Sequence, residues 1–188
     1  MELMKLKDIQ YSTISDENVK TLQKYVKKVA SGVKRNILAV DIGTASGKSA
    51  ISMAMAVDNI IVLTVDPRKE CEVNLIRNYK MLDVDSDKIT FYDDTSEEFG
   101  KDWCPEEIDI CFIDGLHTYH GVVCDIENVV SKVKKGGYVM FHDYNLYKNS
   151  VGKAIDEFEG KLYKKVEEAD GGENEGKKTG SIYVARRI

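Results

Sequence analysis

No apolar run in this 188-residue sequence approaches the roughly 20 residues that a membrane-spanning helix needs. The amino-terminal segment also lacks the apolar core and the small-residue cleavage site of a secretory signal. Positive charge is not in excess, because 27 basic residues face 32 acidic ones and leave a net charge of -5. That balance argues against a protein whose main work is to coat nucleic acid. We therefore expect a cytoplasmic protein whose partner is neither a membrane nor a nucleic acid.

Cysteine and histidine are scarce. The four cysteines, at positions 71, 104, 111 and 124, include no Cys-x-x-Cys pair. A zinc site has two ligands within a few residues of each other, so we expect reduced, buried thiols rather than a metal centre or disulfides. The three histidines all fall between positions 117 and 142, which makes that part of the chain a candidate for chemistry.

The sequence does contain a regular alternation of strand-like and helix-like segments. Predicted strands cover Ile37–Ile42, Ile60–Asp66, Lys88–Tyr92, Ile108–Asp114 and Tyr138–Asp143. Most of them are almost continuously hydrophobic, as strands buried on both faces of a parallel sheet are. Between them, apolar residues recur with helical spacing. This order predicts an α/β fold with a doubly wound, mostly parallel sheet.

The two ends of the chain differ from this alternation. A helical stripe over residues 19–29 precedes the first strand, with Ser15 or Asp16 as its N-cap. Near the carboxyl end, the runs Leu162–Val166 and Ser181–Arg186 predict an antiparallel β-hairpin. Its acidic, glycine-rich connection is expected to be a solvated loop and not a binding element. We expect one domain over residues 1–188, with a helical segment at 1–36 and the α/β core at 37–188.

Another helical stripe, over residues 122–133, is followed by lysines and then by Gly136. Cations and then glycine are typical of a helix C-terminus, so this helix is expected to end at Gly136. A shorter apolar helix is expected over residues 50–57, and a further one near residues 150–158.

The first predicted strand runs into a loop of small residues that leads to a helix. Its candidate binding residues are Asp41, Gly43, Thr44, Ala45, Ser46, Gly47 and Ser49. Small residues let a ligand approach the backbone closely, and free amides at a helix start attract an anionic group. The loop is one residue too short for a Walker A motif, and Ala45 replaces the middle glycine of the dinucleotide fingerprint, whose third glycine is missing. Asp66, at the end of the second strand, could accept hydrogen bonds from both hydroxyls of a ribose.

Two acids lie at equivalent ends of the fourth and fifth predicted strands, Asp114 and Asp143. Neighbouring parallel strands are about 4.8 Å apart, so the two carboxylates are expected to converge. Burying acids with nearby histidines is costly without partners, which favours a functional site. We expect His117 in this site and His120 at the surface or in a helix cap. An iron site with two histidines and one carboxylate is an alternative, although His142 and its neighbour Asp143 should point oppositely on a strand.

These patterns together resemble a known family. Asp41-x-Gly43-x-Ala45-x-Gly47 resembles motif I of the class I S-adenosylmethionine-dependent methyltransferases. The run Asp114-Gly115-x-His117, together with the later Gly-Gly-Tyr-Val-Met-Phe-His-Asp, resembles the subfamily related to cephalosporin hydroxylase and the macrolide-sugar O-methyltransferases. The similarity covers about residues 37–143 and implies a Rossmann-like, seven-stranded sheet with a carboxyl-terminal antiparallel hairpin.

The resemblance also implies a cofactor and a metal. S-adenosylmethionine would contact the loop residues named above, with Asp41 orienting its ammonium group, and Asp66 and Asp114 would lie beside it. Asp94 or Thr95 would meet the adenine, although either could equally cap the following helix. Asp114 and Asp143 would bind a divalent metal, Mg²⁺ by the same resemblance, and His117 would be the general base. The family's further acidic ligand has no securely matched position.

The leading hypothesis is an enzyme that methylates an oxygen of a small hydroxylated acceptor such as a sugar. One alternative is a nicotinamide-dependent oxidoreductase, which Ala45 disfavours. The other is a non-catalytic cofactor-binding module, which is disfavoured by the presence of Asp114, His117 and Asp143. Pocket walls are expected from the amino-terminal helix, the segment around Trp103 and the loop Tyr144–Ser150. Aromatic residues in these segments could stack on an acceptor ring or belong to the core, and a homodimer partner could complete the pocket.

Overall fold

The computed structural model describes residues 6, 8–9, 12, 14–174 and 176–188, and its centre is a seven-stranded sheet. The strands are β1 (Ile37–Ile42), β2 (Ile60–Val65), β3 (Ile89–Tyr92), β4 (Ile108–Ile113), β5 (Val133–Phe141), β6 (Tyr163–Ala169), β7 (Glu173–Asn174), β8 (Lys177–Lys178) and β9 (Ile182–Arg187). Strands β7 and β8 form a separate two-stranded pair, and the other seven form the main sheet.

Helices connect the strands. They are α1 (Asp16–Ala30), α2 (Lys48–Ala54), α3 (Lys69–Met81), α4 (Ser96–Asp102), α5 (Tyr119–Asn128) and α6 (Lys153–Phe158). Short 3₁₀ turns cover Ser86–Lys88 and Val130–Lys132, and a π-helical turn over Lys148–Gly152 leads into α6. None of the described helices is long and apolar enough to cross a membrane.

The strand order is β3-β2-β1-β4-β5-β9-β6, in which β1 to β5 are parallel and β9 pairs antiparallel with both β5 and β6. The predicted α/β fold, its seven-stranded sheet and its terminal hairpin are confirmed. The order reverses between β1 and β4, whose last residues Ile42 and Ile113 are directly paired. In open α/β sheets, ligands bind beyond the carboxyl ends of the strands at such a reversal.

Apolar residues cover both faces of the sheet, as the continuous hydrophobic runs predict. Ala39, Phe112 and Met140 pack on one face in a core cluster that also contains residues of α1 and α2. Their neighbours in sequence face the other way, where Val40 and Phe141 pack with residues of α4, α5 and α6. Because successive side chains of a strand alternate in direction, nearly every position of β1 and β4 must be apolar.

The segment before β5 corrects one expectation. The prediction that this helix ends at Gly136 is wrong, because α5 ends at Asn128 and strand β5 already begins at Val133. Val133 is buried and pairs with Ile108, so it continues the apolar stripe of the helix as the first residue of a strand. Lys134 is held by an ion pair with the fully buried Asp109. The strand is irregular between its two paired parts, and Gly136 adopts φ +80° there.

The connection between β6 and β9 corrects a second expectation. Its two ends are not solvated: Gly171, Gly180 and Ser181 are buried against the start of α1. The Ser15 hydroxyl donates to the Gly171 carbonyl, while Ser15 also serves as the N-cap of α1, as one of the two predicted candidates. The glycine-rich segment therefore fastens the carboxyl-terminal hairpin to the amino-terminal helix.

Candidate active site

The loop between β1 and α2 lies against the end of β4. Gly43 has φ +96°, and a Cβ atom on it would stand 2.1 Å from the carbonyl oxygen of Asp114. Only glycine permits this approach, which brings the small-residue loop and the first acid of the site together. Ala45 also lies in the left-handed region, at φ +45°. That backbone conformation explains why glycine is usual at this position in the family motif.

Asp41, the last but one residue of β1, is completely buried. Its Oδ2 accepts a hydrogen bond of 2.6 Å from the Thr64 hydroxyl, which in turn lies 2.7 Å from the Thr44 hydroxyl. Burial raises the pKa of Asp41 to about 7, although the hydroxyls of Thr64 and Ser49 counteract the rise. Its Oδ1 has no hydrogen-bond partner of good geometry among the described residues. A buried oxygen with unused acceptor capacity suits a ligand cation such as an ammonium group.

Asp66 follows β2, as predicted, and is nearly completely buried. Arg68 donates to both of its oxygens, with Nε and Nη2 each at 2.8 Å, and the Ala45 amide donates to Oδ2 at 3.2 Å. Burial alone would raise the pKa of Asp66, but these hydrogen bonds and the Arg68 charge lower it. Both oxygens of this carboxylate are thus engaged by Arg68, whose side chain is largely exposed.

Thr95 and Asp94, the two residues predicted to meet the adenine, precede helix α4. Thr95 is the N-cap of α4: its hydroxyl accepts from the Glu98 amide, and the Glu98 carboxylate accepts from the Thr95 amide in a complete capping box. The alternative interpretation of Thr95 as a cap is therefore what the structure shows. Asp94 is half-buried beside it, and contact of either residue with an adenine stays a prediction.

A cluster of two acids and two imidazoles occupies the ends of β4 and β5. His142 Nδ1 lies 3.1 Å from Asp114 Oδ1 and 3.3 Å from Asp143 Oδ1. On the other side, His117 Nε2 lies 3.1 Å from Asp143 Oδ2 and 3.4 Å from Asp114 Oδ1. The predicted convergence of the two carboxylates and the inclusion of His117 are thus present in the geometry.

The backbone of Asp143 explains why neighbouring side chains meet. Strand alternation predicts that His142 and Asp143 point oppositely, but β5 ends at Phe141, and Asp143 adopts φ +60°. This left-handed turn directs the Asp143 carboxylate back toward the His142 ring. Gly180 lies so close that a Cβ atom on it would stand 1.8 Å from Asp143 Oδ1. A non-glycine residue held in the left-handed conformation has a strained backbone, and such residues are typical of functional sites.

The charges of the cluster are coupled. Burial raises the pKa of Asp143, whereas the His142 and His117 charges counteract it. At Asp114 the interactions with His142 and His117 outweigh burial and lower the pKa. The hydrogen bond with Asp114, assisted by the Asp143 charge, raises the pKa of His117 against the effect of burial. The two carboxylates therefore stabilise the charged form of the His117 ring.

Asp114, His117 and Asp143 each offer a ligand atom within 4.8 Å of the others, so this set could hold a metal ion. Two carboxylate oxygens suit Mg²⁺ or Mn²⁺, and one imidazole nitrogen favours a first-row metal over Ca²⁺. His142 Nδ1 also contacts Asp114 Oδ1, but the set whose ligand atoms lie within 4.8 Å of one another contains one histidine, His117, whereas the alternative iron site requires two. The set fits a divalent cation.

The aromatic residues of the segments expected to form pocket walls are partly exposed and partly buried. Tyr147 stacks on the His117 ring, with centroids 4.6 Å apart and planes at 20°, and it is substantially exposed. Trp103 is also exposed, 6.3 Å from the Tyr92 ring. Tyr144, in contrast, is buried and donates a hydrogen bond to Asp156, so it belongs to the core. His120 is exposed near the start of α5, in agreement with its expected surface position.

Three residues at the site escaped the sequence interpretation. Asn18 reaches the cluster from α1, Thr64 binds Asp41 from β2, and Arg68 binds Asp66. Arg68 follows an acid closely and is accessible to sequence reasoning, but nothing local marks Asn18 as more than a helix-cap residue. Lys48, which follows the loop glycine, is buried and donates to the Ile14 carbonyl at 2.7 Å.

Fold and site together define the class of the protein: an S-adenosylmethionine-dependent methyltransferase domain on a Rossmann-like sheet. A family model described as a methyltransferase domain matches residues 40–144, which contain the β1–α2 loop and the whole acid–imidazole cluster. The match covers more than half of the sequence, and the chain belongs to this methyltransferase-domain family. Membership favours the methyltransferase hypothesis over the nicotinamide-dependent alternative.

One curated relative is an uncharacterized protein of Acanthamoeba polyphaga mimivirus, 31% identical over 122 residues. The aligned part covers 61% of this chain and 55% of the viral protein, so the match spans about half the length of that relative. The relative supplies no activity to compare.

Solved structures share the fold at low identity. The O-methyltransferase of Bacillus cereus in complex with SAH has a TM-score of 0.73 and 14% identity, covering 99% of this chain and 90% of its own. The O-methyltransferase TomG of Streptomyces achromogenes, in complex with SAM, has a TM-score of 0.74 and 12% identity, covering 93% and 81%. The cofactor-bound protein Rv0187 from MTB has a TM-score of 0.78 and 14% identity, covering 99% and 87%. At such identities the similarity establishes the fold alone.

Proposed function

We propose that this chain transfers the methyl group of S-adenosylmethionine to an oxygen of a small hydroxylated acceptor such as a sugar. The observation that carries the proposal is the convergence of Asp114, His117 and Asp143 beside the Gly43 loop, at the reversal of the strand order. The sequence resemblance to the macrolide-sugar O-methyltransferase subfamily and the O-methyltransferases among the structural relatives support the choice of oxygen as acceptor atom.

The proposed cofactor site extends from Asp41 to Asp94. Asp41 offers a buried, partly unused carboxylate to the ammonium group, and the small residues of the β1–α2 loop leave room beside it. Asp66 would bind the ribose hydroxyls after partial release by Arg68, and Asp94 would contact the adenine. Asp41 at the end of β1 would thus bind the ammonium group of the cofactor, and Asp66 at the end of the neighbouring strand β2 would bind its ribose.

The reaction requires alignment of the acceptor oxygen and removal of its proton. The bound cofactor supplies a methyl group already activated as a sulfonium. The His117 ring reaches the surface of the cluster, since its side chain is 38% exposed while those of Asp114 and Asp143 are 10% and 8% exposed, and its Nε2 is directed at the two acids. His117 would accept the acceptor proton at Nδ1, the ring nitrogen not directed at the acids. The two acids would orient the ring through Nε2 and stabilise the imidazolium that forms. The chain itself would contribute to the rate in two ways, by orienting the acceptor oxygen and by general-base catalysis.

Asp114 and Asp143 would hold a divalent cation together with oxygens of the acceptor, and His117 would act as the base. Such a cation would lower the pKa of the acceptor hydroxyl and would offset the negative charge that stabilises protonated His117. This second effect matters because a general base must be unprotonated before the reaction begins.

The acceptor would lie against exposed aromatic surface. Tyr147 continues the His117 ring outward by stacking, and its ring faces are typical contacts for sugars and other rings. The net charge of -5 does not favour a nucleic acid as acceptor. The free cysteines, Cys71, Cys104, Cys111 and Cys124, support our proposal of a cytoplasmic location. Completion of the pocket in a homodimer remains a prediction from the absence of a large insertion.

Calorimetric titration with S-adenosylmethionine tests the first step. We expect binding in the micromolar range for the wild-type chain and a loss of at least tenfold in affinity for Asp41→Ala. Transfer of labelled methyl groups to a panel of sugars, phenols and amines then tests the acceptor class. Absence of any cofactor binding would overturn the proposal, and transfer to amines alone would overturn the choice of oxygen.

A further inference from the structure

Asn18, on the amino-terminal helix α1, has a fully buried side chain that contacts three separate parts of the chain. Its Nδ2 donates to the Gly180 carbonyl at 3.1 Å, and its Oδ1 accepts from the Ser15 amide, also at 3.1 Å. The same Oδ1 lies 3.4 Å from His142 Nε2. One amide group thus links the helix N-cap, the carboxyl-terminal hairpin and the acid–imidazole cluster.

The orientation of this amide follows from its backbone partners. A carbonyl oxygen can only accept a hydrogen bond, and a backbone N–H can only donate one. The Gly180 carbonyl therefore requires Nδ2 on its side, and the Ser15 amide requires Oδ1 on the other. Exchanging the two ends of the amide would break both contacts, so Oδ1 must face His142. An acceptor at that position requires His142 Nε2 to carry a hydrogen atom.

The other ring nitrogen of His142 is then directed at the functional acids. With His142 Nε2 hydrogen-bonded to Asn18 Oδ1, His142 Nδ1 lies 3.1 Å from Asp114 Oδ1 and 3.3 Å from Asp143 Oδ1. The ring of Phe112, 6.1 Å away between centroids, lies beside it. Hydrogen bonds of this kind, one step removed from a reactive group, fix the orientation of a histidine ring and the nitrogen it presents.

We propose that Asn18 is a positioning residue: it fixes the His142 ring so that Nδ1 meets both Asp114 and Asp143. The inference rests on the proposed function only in assigning those two acids to the reaction. It makes the amino-terminal helix, which lies outside the matched family range, part of the machinery that holds the site.

Ser15 provides a matched control because it stabilises the same region without touching His142. Its hydroxyl caps α1 and donates to the Gly171 carbonyl, so it also links the helix to the carboxyl-terminal hairpin. Ser15→Ala removes these contacts and the 2.8 Å contact of the hydroxyl with Asn18 Oδ1. It keeps the Ser15 amide and the Gly180 carbonyl, the two backbone groups that direct Asn18 Oδ1 toward His142. A purely structural role of Asn18 predicts that the two alanine variants behave alike.

Nitrogen-15 NMR of histidine-labelled protein separates the two roles, and with three histidines in the chain each ring can be assigned by substitution. We expect a protected Nε2–H signal for His142 in the wild type and in Ser15→Ala, and exchange with water at least tenfold faster in Asn18→Ala. Asn18→Asp retains an oxygen toward His142 and should keep the signal. If Asn18→Ala does not fold, Asn18→Ser, whose side chain is too short to reach the ring, replaces it.

An unchanged His142 signal in the alanine or serine variant would overturn the inference, as would a wild-type Nε2 without a bound hydrogen. Calorimetric titration of the same samples with S-adenosylmethionine keeps the two proposals apart. Absence of cofactor binding in the wild type would overturn the proposed function, whereas the NMR comparison would still decide the role of Asn18.

Discussion

His117 Nε2 and Asp143 Oδ2 lie 3.1 Å apart, although each residue follows a different strand of the sheet. The contact exists because β4 and β5 are parallel neighbours and because the left-handed backbone of Asp143 turns its carboxylate toward the loop that carries His117. It joins the proposed base to one of the two acids that raise its pKa.

Replacement of His117 by Asn should reduce methyl transfer by about 10²- to 10⁴-fold, the usual contribution of a general base. Cofactor affinity should change less than threefold, because the side chain lies on the acceptor side of the cluster. His120→Asn is the control, since His120 is an exposed histidine in the first turn of α5, the helix that follows His117, and the variant should retain full activity. The measurement is labelled-methyl transfer at saturating cofactor. Equal losses in the two variants would remove His117 from the reaction.

Asp143→Asn should weaken the binding of Mg²⁺ or Mn²⁺ at least tenfold, because an amide replaces one of the two carboxylate ligands. Titration calorimetry of the metal in the absence of cofactor measures this directly. Asp58→Asn is suited as a control because Asp58 is fully exposed and lies outside the cluster. Metal binding that is the same in both variants would show that Asp143 is not a ligand.

Asp41 should make the stability of the ligand-free protein depend on pH. Its pKa is about 7 in the folded chain and near 3.8 when unfolded, so between these values the folded state binds more protons. The contribution of Asp41 is therefore fully present below about pH 4 and is lost as the pH rises through 7, at up to about 1.4 kcal/mol per pH unit. Urea unfolding of the wild type and of Asp41→Asn from pH 4.5 to 7.5 should show this slope in their difference. A difference that does not vary with pH would contradict the burial argument.

Ala45→Gly should stabilise the fold by about 0.5 to 1 kcal/mol. A left-handed conformation costs a non-glycine residue about 1 to 2 kcal/mol, and glycine gives part of that back through its greater freedom in the unfolded chain. Ala50→Gly, in the regular helix α2, should instead destabilise by about 1 kcal/mol or more. Chemical denaturation of both variants measures the two signs. Destabilisation by Ala45→Gly would show that its backbone is not strained.

Local sequence features predicted the elements that carry the site. The five parallel strands are found within a residue or two of their predicted ends, except for the start of β5. Continuous apolar runs specify strands buried on both faces, and this property depends little on the rest of the chain. The acids at the strand ends could be identified for the same reason, since a charged residue that ends a buried strand is conspicuous in sequence.

Where several structures satisfy the same pattern, sequence reasoning failed or left alternatives. Val133 fits the apolar stripe of α5 and the first position of β5 equally well, and pairing with Ile108 decides between them. Thr95 is suited to cap a helix or to face a ligand, and the position of Glu98 decides that case. Strand alternation would direct the side chains of His142 and Asp143 to opposite faces only if the strand continued through both residues. The left-handed backbone of Asp143 is not that of a strand.

The sequence by itself determined the order of helices and strands, the small-residue loop after β1 and the identity of the acids at the ends of β4 and β5. Hydrophobic periodicity and local turn chemistry are sufficient for these features because they act over a few residues. Only the tertiary structure decided that Asn18 and Gly180, from opposite ends of the chain, close around His142 and Asp143. Contacts between distant segments depend on how whole elements pack, and no short sequence pattern records them.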